Sequence, residues 1–287
     1  MRRLRAGLDF VAFEHTLFAL PAAYAGMVLA AEGWPGTATF LWITLAMVGA
    51  RTAAMAANRV IDAELDARNP RTADRAIPAG RFSRGGGVVV AVVGLAALVL
   101  AGLNLNPLTT ALLPVAVGFL IAYPYTKRFT WACHLWLGVT IGAAAAGGAI
   151  AVTGRFDPAA VALWVAVGSW IAGFDVIYAL LDRASDLRTG VRSIPARFGE
   201  ARAIDVAAAL HLLSVVALLT VALASPLGVV YLAGVALVVA PALALQQVWV
   251  RTRGVEAALQ AFHTNLWISS AVLLAIVADL AVSGRLG

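Results

Sequence analysis

The sequence is short of the residues that mark disulfide scaffolds, zinc proteins and ordinary soluble domains. Among 287 residues it has one cysteine, so no internal disulfide can form, and its four histidines are scattered without zinc-binding spacing. Charged residues make up only 13% of the chain, which excludes a disordered, highly charged protein. A hydrophobic content of 62% and a mean hydropathy of +0.89 instead indicate an integral membrane protein.

Long apolar runs predict about nine transmembrane helices, because roughly 20 apolar residues are needed to cross a bilayer. Lipid offers no hydrogen bonds to an exposed backbone, so helices are the expected form of such runs. We predict an all-α polytopic membrane protein that forms a single domain over residues 1–287. The predicted helices lie near 10–31, 38–66, 87–104, 107–123, 133–153, 157–186, 203–224, 226–247 and 264–283.

The basic residues collect on one side of these helices. Seventeen of the 21 lysines and arginines lie in the N-terminal segment or in the loops after the even-numbered helices. The positive-inside rule then predicts a cytoplasmic N-terminus and an external C-terminus, and we expect the bacterial cytoplasmic (inner) membrane. The net charge of +6 therefore indicates topology and contact with lipid headgroups, and no nucleic-acid partner is expected.

An internal repeat places acidic residues at equivalent positions in the two halves of the chain. The second predicted helix ends in N-R-V-I-D-A-E-L-D, and the sixth ends in Y-A-L-L-D-R-A-S-D, 120 residues later at both acids. Similar basic loops follow, R-A-I-P-A-G-R-F and R-S-I-P-A-R-F. A shared period indicates a shared structural unit. We therefore predict two parallel four-helix repeats, at about 10–123 and 133–247, and a final helix near 264–283.

The repeated acids predict a divalent metal site at the cytoplasmic edge of the bundle. Each pair is four residues apart, on one helical face, and four carboxylates at the membrane edge are costly without cations. Mg²⁺ prefers oxygen ligands and is usually held by one or two carboxylates plus substrate phosphates. Nearby basic side chains would contact the phosphates; they are Arg71, Arg75, Lys127, Arg128 and Arg192. The alternative is a set of weak surface salt bridges.

Arg51 and Asp175 are charged residues inside apolar stretches, one in each half of the chain. Arg51 precedes Asn58 by seven residues, and Asp175 precedes Asp182 by seven, so each shares a helical stripe with an acidic motif. A cation at that depth should face the bundle interior. Arg51 is expected either to bind the carboxylate of a small acceptor or to pair internally with Glu14 or Asp175. Asp175 is expected to position an acceptor, to support a metal or to form a buried hydrogen bond.

These motifs together resemble the UbiA-type family of intramembrane aromatic prenyltransferases. The family's N-x-x-x-D-x-x-x-D matches Asn58, Asp62 and Asp66, and its D-x-x-x-D preceded by tyrosine matches Tyr178, Asp182 and Asp186. The segment Y-P-Y-T-K-R at 123–128 is similar to the family's Y-x-x-x-K element. The resemblance covers the whole chain. It departs at Arg59, where the family often has aspartate, so one outer carboxylate is missing.

The resemblance implies Mg²⁺-dependent transfer of a polyprenyl group from its diphosphate to an aromatic acid in ubiquinone- or menaquinone-type lipoquinone biosynthesis. The chain looks most similar to 4-hydroxybenzoate polyprenyltransferases, and a dihydroxynaphthoate acceptor remains an alternative. The implied metal ligands are Asn58, Asp62, Asp66, Asp182 and Asp186, and the four aspartates act with Lys127 in catalysis. The implied diphosphate contacts are Arg71, Arg75, Tyr123, Lys127, Arg128, Tyr178 and Arg192. Arg51 and Asp175 would bind the acceptor.

A cation-coupled transporter is the alternative from another class, since it also places acids within membrane helices. Transporter sites usually lie near the membrane midplane at broken helices, often between inverted repeats. Here the acids cluster at one membrane face within a parallel repeat, and the adjacent loops are strongly cationic. These features favour an enzyme that binds an anionic substrate.

Overall fold

A computed structural model describes residues 13–286 of the chain, with the side chains of that range except those at 13–19, 262 and 266. The described residues are helical and contain no strand. Nine long helical segments alternate with short connections, as predicted; residues 10–12 of the first lie outside the described range. The helices are α1 (Phe13–Ala31), α2 (Thr37–Ile61), α3 (Ala63–Arg68), α4 (Arg84–Leu103), α5 (Pro107–Phe129), α6 (Cys133–Thr153), α7 (Pro158–Ala179), α8 (Arg183–Thr189), α9 (Ile194–Phe198), α10 (Glu200–Leu223), α11 (Val229–Gly234), α12 (Ala240–Arg253) and α13 (Ala258–Val282).

Eight helical segments of the described range are long and apolar enough to cross a membrane, and α1 contributes a shorter apolar stretch at Leu20–Ala31. One crossing segment, Val229–Ala261, joins α11 to α12 through a π-helical turn at Val235–Val239. The protein is therefore a multi-pass membrane protein.

The two helices that carry the acidic motifs are divided, whereas the sequence predicted continuous helices over 38–66 and 157–186. The first ends at Ile61, Asp62 adopts a turn conformation, and α3 continues the chain. The break is stabilised because Arg128 donates a 2.9 Å hydrogen bond to the carbonyl oxygen of Ile61. The second passes through a 3₁₀ turn at Leu180–Asp182 before α8. In each motif the first acid, Asp62 or Asp182, lies at the break itself.

The fourth predicted helix, 107–123, continues to Phe129 as α5. Pro124 lacks a backbone N–H, so it removes one helical hydrogen bond, but the helix accommodates this loss. Thr126 donates its hydroxyl to the carbonyl oxygen of Tyr123 at 2.6 Å. The continuation keeps Tyr123 and Lys127 one helical turn apart, on the same side of the helix.

Small residues, such as those of the run G-A-A-A-A-G-G at 142–148, let the helices approach closely. A Cβ atom on Gly142 would lie 2.7 Å from the Cα of Gly168 in α7, and one on Gly94 would lie 2.6 Å from the backbone nitrogen of Ala53. The most extensive pairings in the bundle are α2 with α4, α7 with α10, and α6 with α7. The first two pairs occupy equivalent places in the predicted repeats; the duplication itself stays a prediction.

Candidate active site

A cavity of about 710 Å³ runs through the bundle from the basic loops that follow the acidic motifs to the opposite ends of the helices. Its polar end is lined by three acids of the two motifs, Asp66, Asp182 and Asp186, and by Arg71 and Arg75 of the 69–83 loop. Its remaining wall is mostly apolar and reaches Leu105 and Phe156, which lie in the connections at the other side. Along α6, the wall extends from His134 to Ala151, a distance of roughly 26 Å at helical rise. The cavity therefore has the shape for a charged head and a long apolar tail.

The acids of the first motif face different surroundings. Asp66 lines the cavity and binds Arg75, with Nη1 to Oδ1 at 2.7 Å, while its Oδ2 is buried without a hydrogen bond among the described residues. Asp62 is fully buried and lies outside the cavity lining, between Lys127 Nζ at 2.5 Å and Arg128 Nη1 at 3.0 Å. The expectation that both acids present one face to the site is therefore wrong, because the helix breaks at Asp62.

The acids of the second motif both line the cavity. Asp182 accepts two hydrogen bonds from the guanidinium of Arg71, from Nε at 2.7 Å and from Nη2 at 2.5 Å, and a third from Asn69 at 2.8 Å. Asp186 accepts a 2.8 Å hydrogen bond from the hydroxyl of Ser193. The contact between Arg71 and Asp182 joins the loop of the first half to the acid of the second, which brings the two motifs together as predicted.

Basic side chains neutralise these carboxylates. Burial by itself lowers the pKa of Arg71, but its hydrogen bonds to Asp182 and the negative charge of that residue outweigh burial and raise the pKa above its ordinary value. Arg71 also donates to the Tyr178 hydroxyl at 2.8 Å and lies over that ring, with 4.9 Å to its centroid. Arg71 therefore remains charged and is held in place at the mouth of the site.

Two predicted diphosphate contacts lie off the cavity wall. The lining of the described residues includes Arg71, Arg75, Tyr123, Lys127 and Tyr178, as well as Asn58. It does not include Arg128, whose guanidinium is directed to Asp62 and to backbone oxygens, or Arg192, which donates to the carbonyl oxygen of Phe129 at 2.8 Å. In this arrangement both side chains stabilise the loops around the site, and their contact with a diphosphate stays a prediction.

A second group of polar residues lines the cavity deeper in the bundle. Arg51 is in the wall on α2, and its Nε is buried without a hydrogen bond among the described residues. Asp175 lies on α7 and its Oδ2 is 2.7 Å from Nδ1 of His134, so its partner is this histidine and not Arg51. The buried Tyr123 phenol lies in the same part of the cavity, near both Arg51 and Asp175. The side chain of Glu14, the other partner considered for Arg51, lies outside the described residues.

Comparisons with known proteins agree with this geometry. A sequence profile described as the UbiA prenyltransferase family matches residues 19–269. The 4-hydroxybenzoate octaprenyltransferase of Alkalilimnicola ehrlichii is 33% identical over 262 residues, which is 90% of this chain and 88% of that protein. The protein of the same name from Marinobacter nauticus is 33% identical over 268 residues, 93% of this chain and 90% of that protein.

The chain belongs to the UbiA prenyltransferase family. The fold agrees: the apo structure of a UbiA homolog from Aeropyrum pernix K1 has a TM-score of 0.85 and 30% identity, covering 93% of this chain and 98% of that one. A UbiA homolog from Archaeoglobus fulgidus bound to GPP and Mg²⁺ has a TM-score of 0.75 at 16% identity, covering 96% and 99%, which shows the shared fold. The protein is therefore a membrane prenyltransferase, and its family decides against the transporter alternative.

Within this UbiA family chain the polar end of the cavity fits a divalent metal. The described residues contain no ready-made cluster of three or more acidic, histidine or cysteine ligands. They do contain carboxylates of both motifs that line one cavity and are balanced by partly exposed arginines, and a buried Asp66 oxygen that has no hydrogen bond. Pairs of carboxylates are what Mg²⁺ uses when substrate phosphates complete its shell.

Arg59, where the family often has aspartate, lies among the same charges. It interacts electrostatically with Asp66, Arg71 and Arg75, and its Nε is buried without a hydrogen bond among the described residues. Glu64 does not replace the missing acid, because it is an exposed residue that pairs with Arg84 at 3.2 Å. The first motif of this chain is therefore more cationic than the family pattern.

Sequence reasoning missed three residues that complete the site. Asn69 and Ser193 donate hydrogen bonds to the second acid pair, and His134 holds Asp175. Ser193 stands in the basic loop R-S-I-P-A-R-F, and Asn69 follows Asp66 by three residues, so both lie beside motifs that the sequence had marked. His134 had no such signal, because its partner is 41 residues away in sequence.

Proposed function

We propose that this protein transfers a polyprenyl group from polyprenyl diphosphate to 4-hydroxybenzoate, in a Mg²⁺-dependent reaction of lipoquinone biosynthesis. The observation that carries the proposal is one continuous cavity with acids and arginines at one end and an apolar wall beyond. The charged end suits a metal-bound diphosphate, and the apolar wall suits a prenyl tail. The names of the curated relatives support 4-hydroxybenzoate as the acceptor.

The donor diphosphate would bind at the acidic motifs. Asn58, Asp62, Asp66, Asp182 and Asp186 are the residues proposed to hold the metal. Bound there, Mg²⁺ supplies positive charge that stabilises the departing diphosphate. UbiA homologs solved with GPP, DMAPP, Mg²⁺ or Cd²⁺ make this assignment chemically reasonable. Asp62 reaches such a site only if its contacts with Lys127 and Arg128 rearrange.

The basic residues that pair with the acids in this structure would bind the diphosphate when the donor is present. Arg71 and Arg75 occupy Asp182 and Asp66 in this structure. When a metal neutralises these acids, both guanidinium groups are free to turn toward the phosphate oxygens, which they match in geometry. Lys127, already on the wall, adds a further positive charge, and Tyr123 and Tyr178 complete the phosphate-facing surface. Donors of this kind stabilise the charge that develops as the diphosphate leaves.

The acceptor would occupy the deeper polar group. Arg51 would bind its carboxylate, and Asp175 would contact the opposite end of the ring. The ring then faces the allylic carbon of the donor and attacks it next to the hydroxyl group. The apolar wall excludes water, which would otherwise capture the developing cation. A dihydroxynaphthoate also carries a carboxylate and a hydroxyl group, so it is the second candidate acceptor.

We infer the cellular arrangement from the distribution of charge. The basic loops at the polar end of the cavity support a site that opens to the cytoplasm, in the bacterial inner membrane. The N-terminal arginines used for this orientation lie outside the described residues. We also infer that residues 1–287 form one domain of two four-helix repeats with a final helix. The lipid bilayer is the surrounding partner, and no nucleic acid is expected.

The direct test is turnover by the purified protein in detergent or nanodiscs. The protein receives Mg²⁺ and a long-chain polyprenyl diphosphate, with 4-hydroxybenzoate or a dihydroxynaphthoate offered separately, and mass spectrometry detects the prenylated acid. We expect product from 4-hydroxybenzoate and none in EDTA. Product from the naphthoate alone would replace the proposed acceptor. Absence of product from both, and of metal-dependent donor binding, would contradict the proposed function.

A further inference from the structure

His134 is a buried histidine in the cavity wall that the proposed donor site does not use. Its exposed fraction is 4%, its Nδ1 lies 2.7 Å from Oδ2 of Asp175, and its Nε2 is buried without a hydrogen bond among the described residues. His211 is equally buried but lies outside the cavity lining and bonds to Gln247. His134 therefore differs from an ordinary core histidine by its position and by its carboxylate partner.

The contact with His134 occupies one oxygen of Asp175 and leaves the other available. Among the described residues, no hydrogen bond reaches Oδ1, and the side chain keeps 23% of its surface exposed, toward the cavity that it lines. Hydrogen bonding to a fixed donor prevents the carboxylate from rotating, as it does when histidine–carboxylate pairs orient metal ligands. The free oxygen is therefore presented in a set direction.

Arg51 and Asp175 line the same part of the cavity without pairing with each other. Each lies seven residues, roughly 10 Å, deeper than a residue of an acidic motif. Buried groups of opposite charge normally pair. A cation without an acidic partner and an acceptor oxygen without a donor, on two helices that line one cavity, suit a ligand with an anion at one end and a hydrogen-bond donor at the other. A hydroxylated aromatic acid has both ends.

We propose that His134 is a positioning residue that fixes Asp175 so that Oδ1 accepts the hydroxyl hydrogen of the aromatic acceptor. The inference rests on the proposed function and adds a hydroxyl-recognition site to it. It also identifies the group that accepts the hydroxyl proton. Nothing in the sequence motifs of the family carries this assignment, because His134 lies outside them.

Two protons move in the proposed step. The ring carbon next to the hydroxyl bonds to the allylic carbon, while the allylic C–O bond breaks and its electron pair leaves with the diphosphate. The hydroxyl proton moves to Asp175 Oδ1, and the ring oxygen becomes a carbonyl. The proton on the newly substituted ring carbon then passes to a diphosphate oxygen, and the proton on Asp175 returns to the ring oxygen, which restores the aromatic phenol.

The test compares the binding of 4-hydroxybenzoate with that of 4-methoxybenzoate, which cannot donate a hydrogen bond. Isothermal titration of the solubilised full chain, without donor, gives both dissociation constants. In the wild type we expect tighter binding of the hydroxyl compound by about tenfold or more, as for a hydrogen bond to a charged group. In His134→Ala and in Asp175→Asn we expect the ratio to fall to about one.

Two further variants separate positioning from general damage. His134→Asn places an amide near the position of Nδ1 and should restore much of the selectivity. His211→Ala removes an equally buried histidine away from the cavity, and its ratio should equal that of the wild type. In turnover, His134→Ala should lower kcat by about 100-fold, the size of a lost proton-transfer contribution, with the donor KM unchanged.

The outcomes distinguish this inference from the proposed function. A wild-type ratio near one, or an unchanged ratio in His134→Ala, overturns the role of His134 even when the protein turns over. Selective binding that depends on His134, without turnover of any polyprenyl diphosphate, supports the hydroxyl site and contradicts the prenyl-transfer proposal. Equal loss of turnover in His134→Ala and His211→Ala, with selectivity intact, identifies a purely structural role.

Discussion

Replacing Arg71 by glutamine should strengthen divalent metal binding while it weakens catalysis. In this structure the Arg71 guanidinium covers both oxygens of Asp182, at 2.7 and 2.5 Å, which are the oxygens that a metal would need. A metal must therefore displace a cation before it binds. The Arg71→Gln variant removes this competitor and retains the acid.

The size of the effect follows from the exposure of the pair. A hydrogen bond to a charged group contributes about 1.5–3 kcal/mol when sheltered. The Arg71 side chain is 31% exposed and that of Asp182 is 17% exposed, so screening reduces the pair to about 1–2 kcal/mol. Since about 1.36 kcal/mol is tenfold, metal affinity should rise by about 5–30-fold. Turnover should fall by about 100–1,000-fold, because a donor that stabilises the leaving group is lost.

The assay measures metal binding without substrate, with Mn²⁺ as a paramagnetic substitute for Mg²⁺. Free Mn²⁺ is followed by electron paramagnetic resonance as wild-type and variant protein are titrated, and prenyl transfer is measured separately. Arg81→Gln is the matched control, because Arg81 pairs with Asp74 on the exposed surface and lies outside the cavity lining. Equal or weaker Mn²⁺ binding by Arg71→Gln than by the wild type would refute the competition.

Three further predictions concern the acids, the acceptor and the tail. Asp182→Asn should abolish Mg²⁺-dependent turnover and lower the free energy of unfolding by no more than the about 1–2 kcal/mol of its pair with Arg71, whereas Asp62→Asn should destabilise the protein by about 2–4 kcal/mol, because it removes the buried carboxylate that pairs with both Lys127 and Arg128; near-wild-type turnover in both would contradict the metal assignment. Arg51→Ala should raise the KM of the acceptor in steady-state kinetics; a change confined to the donor KM would move Arg51 to the diphosphate site. Gly147 lines the cavity, and a Cβ atom added to it would meet open space, so Gly147→Leu should lower kcat/KM for long prenyl tails only; Gly118→Leu, off the cavity wall, is the control, and equal losses in both would disprove the effect.

The basic side chains of the site would have different partners before and after metal and substrate bind. Arg71, Arg75 and Lys127 each pair with an acid that the proposed metal would also use. Exchange of these basic side chains for a metal keeps the local charge balanced, so burial of the acids is tolerated before the substrate arrives. The same side chains then become available for the phosphates.

The sequence by itself determined the class of the protein and the location of its polar end. Apolar runs predicted membrane helices because hydrocarbon excludes an unpaired backbone. Repeated acids and basic loops marked one end of the bundle, and their spacing was readable because i and i+4 share a helical face. The helix breaks at Asp62 and at Leu180–Asp182 could not be predicted in this way. The hydrogen bond from Arg128 to the carbonyl oxygen of Ile61 and the 3₁₀ turn do not change the periodic pattern of the sequence.

Only the tertiary structure decided which charges meet. Asp182 binds an arginine 111 residues earlier in the chain, and Asp62 turns from the cavity to Lys127. Asp175 forms its hydrogen bond with His134 and not with Arg51. Sequence spacing constrains neighbours along one helix, whereas these contacts join different helices, whose relative rotation and depth are set by close packing at residues such as Gly142 and Gly168. Helical periodicity thus predicts which residues share one face of a helix, and packing between helices decides which side chains on different helices form ion pairs and hydrogen bonds.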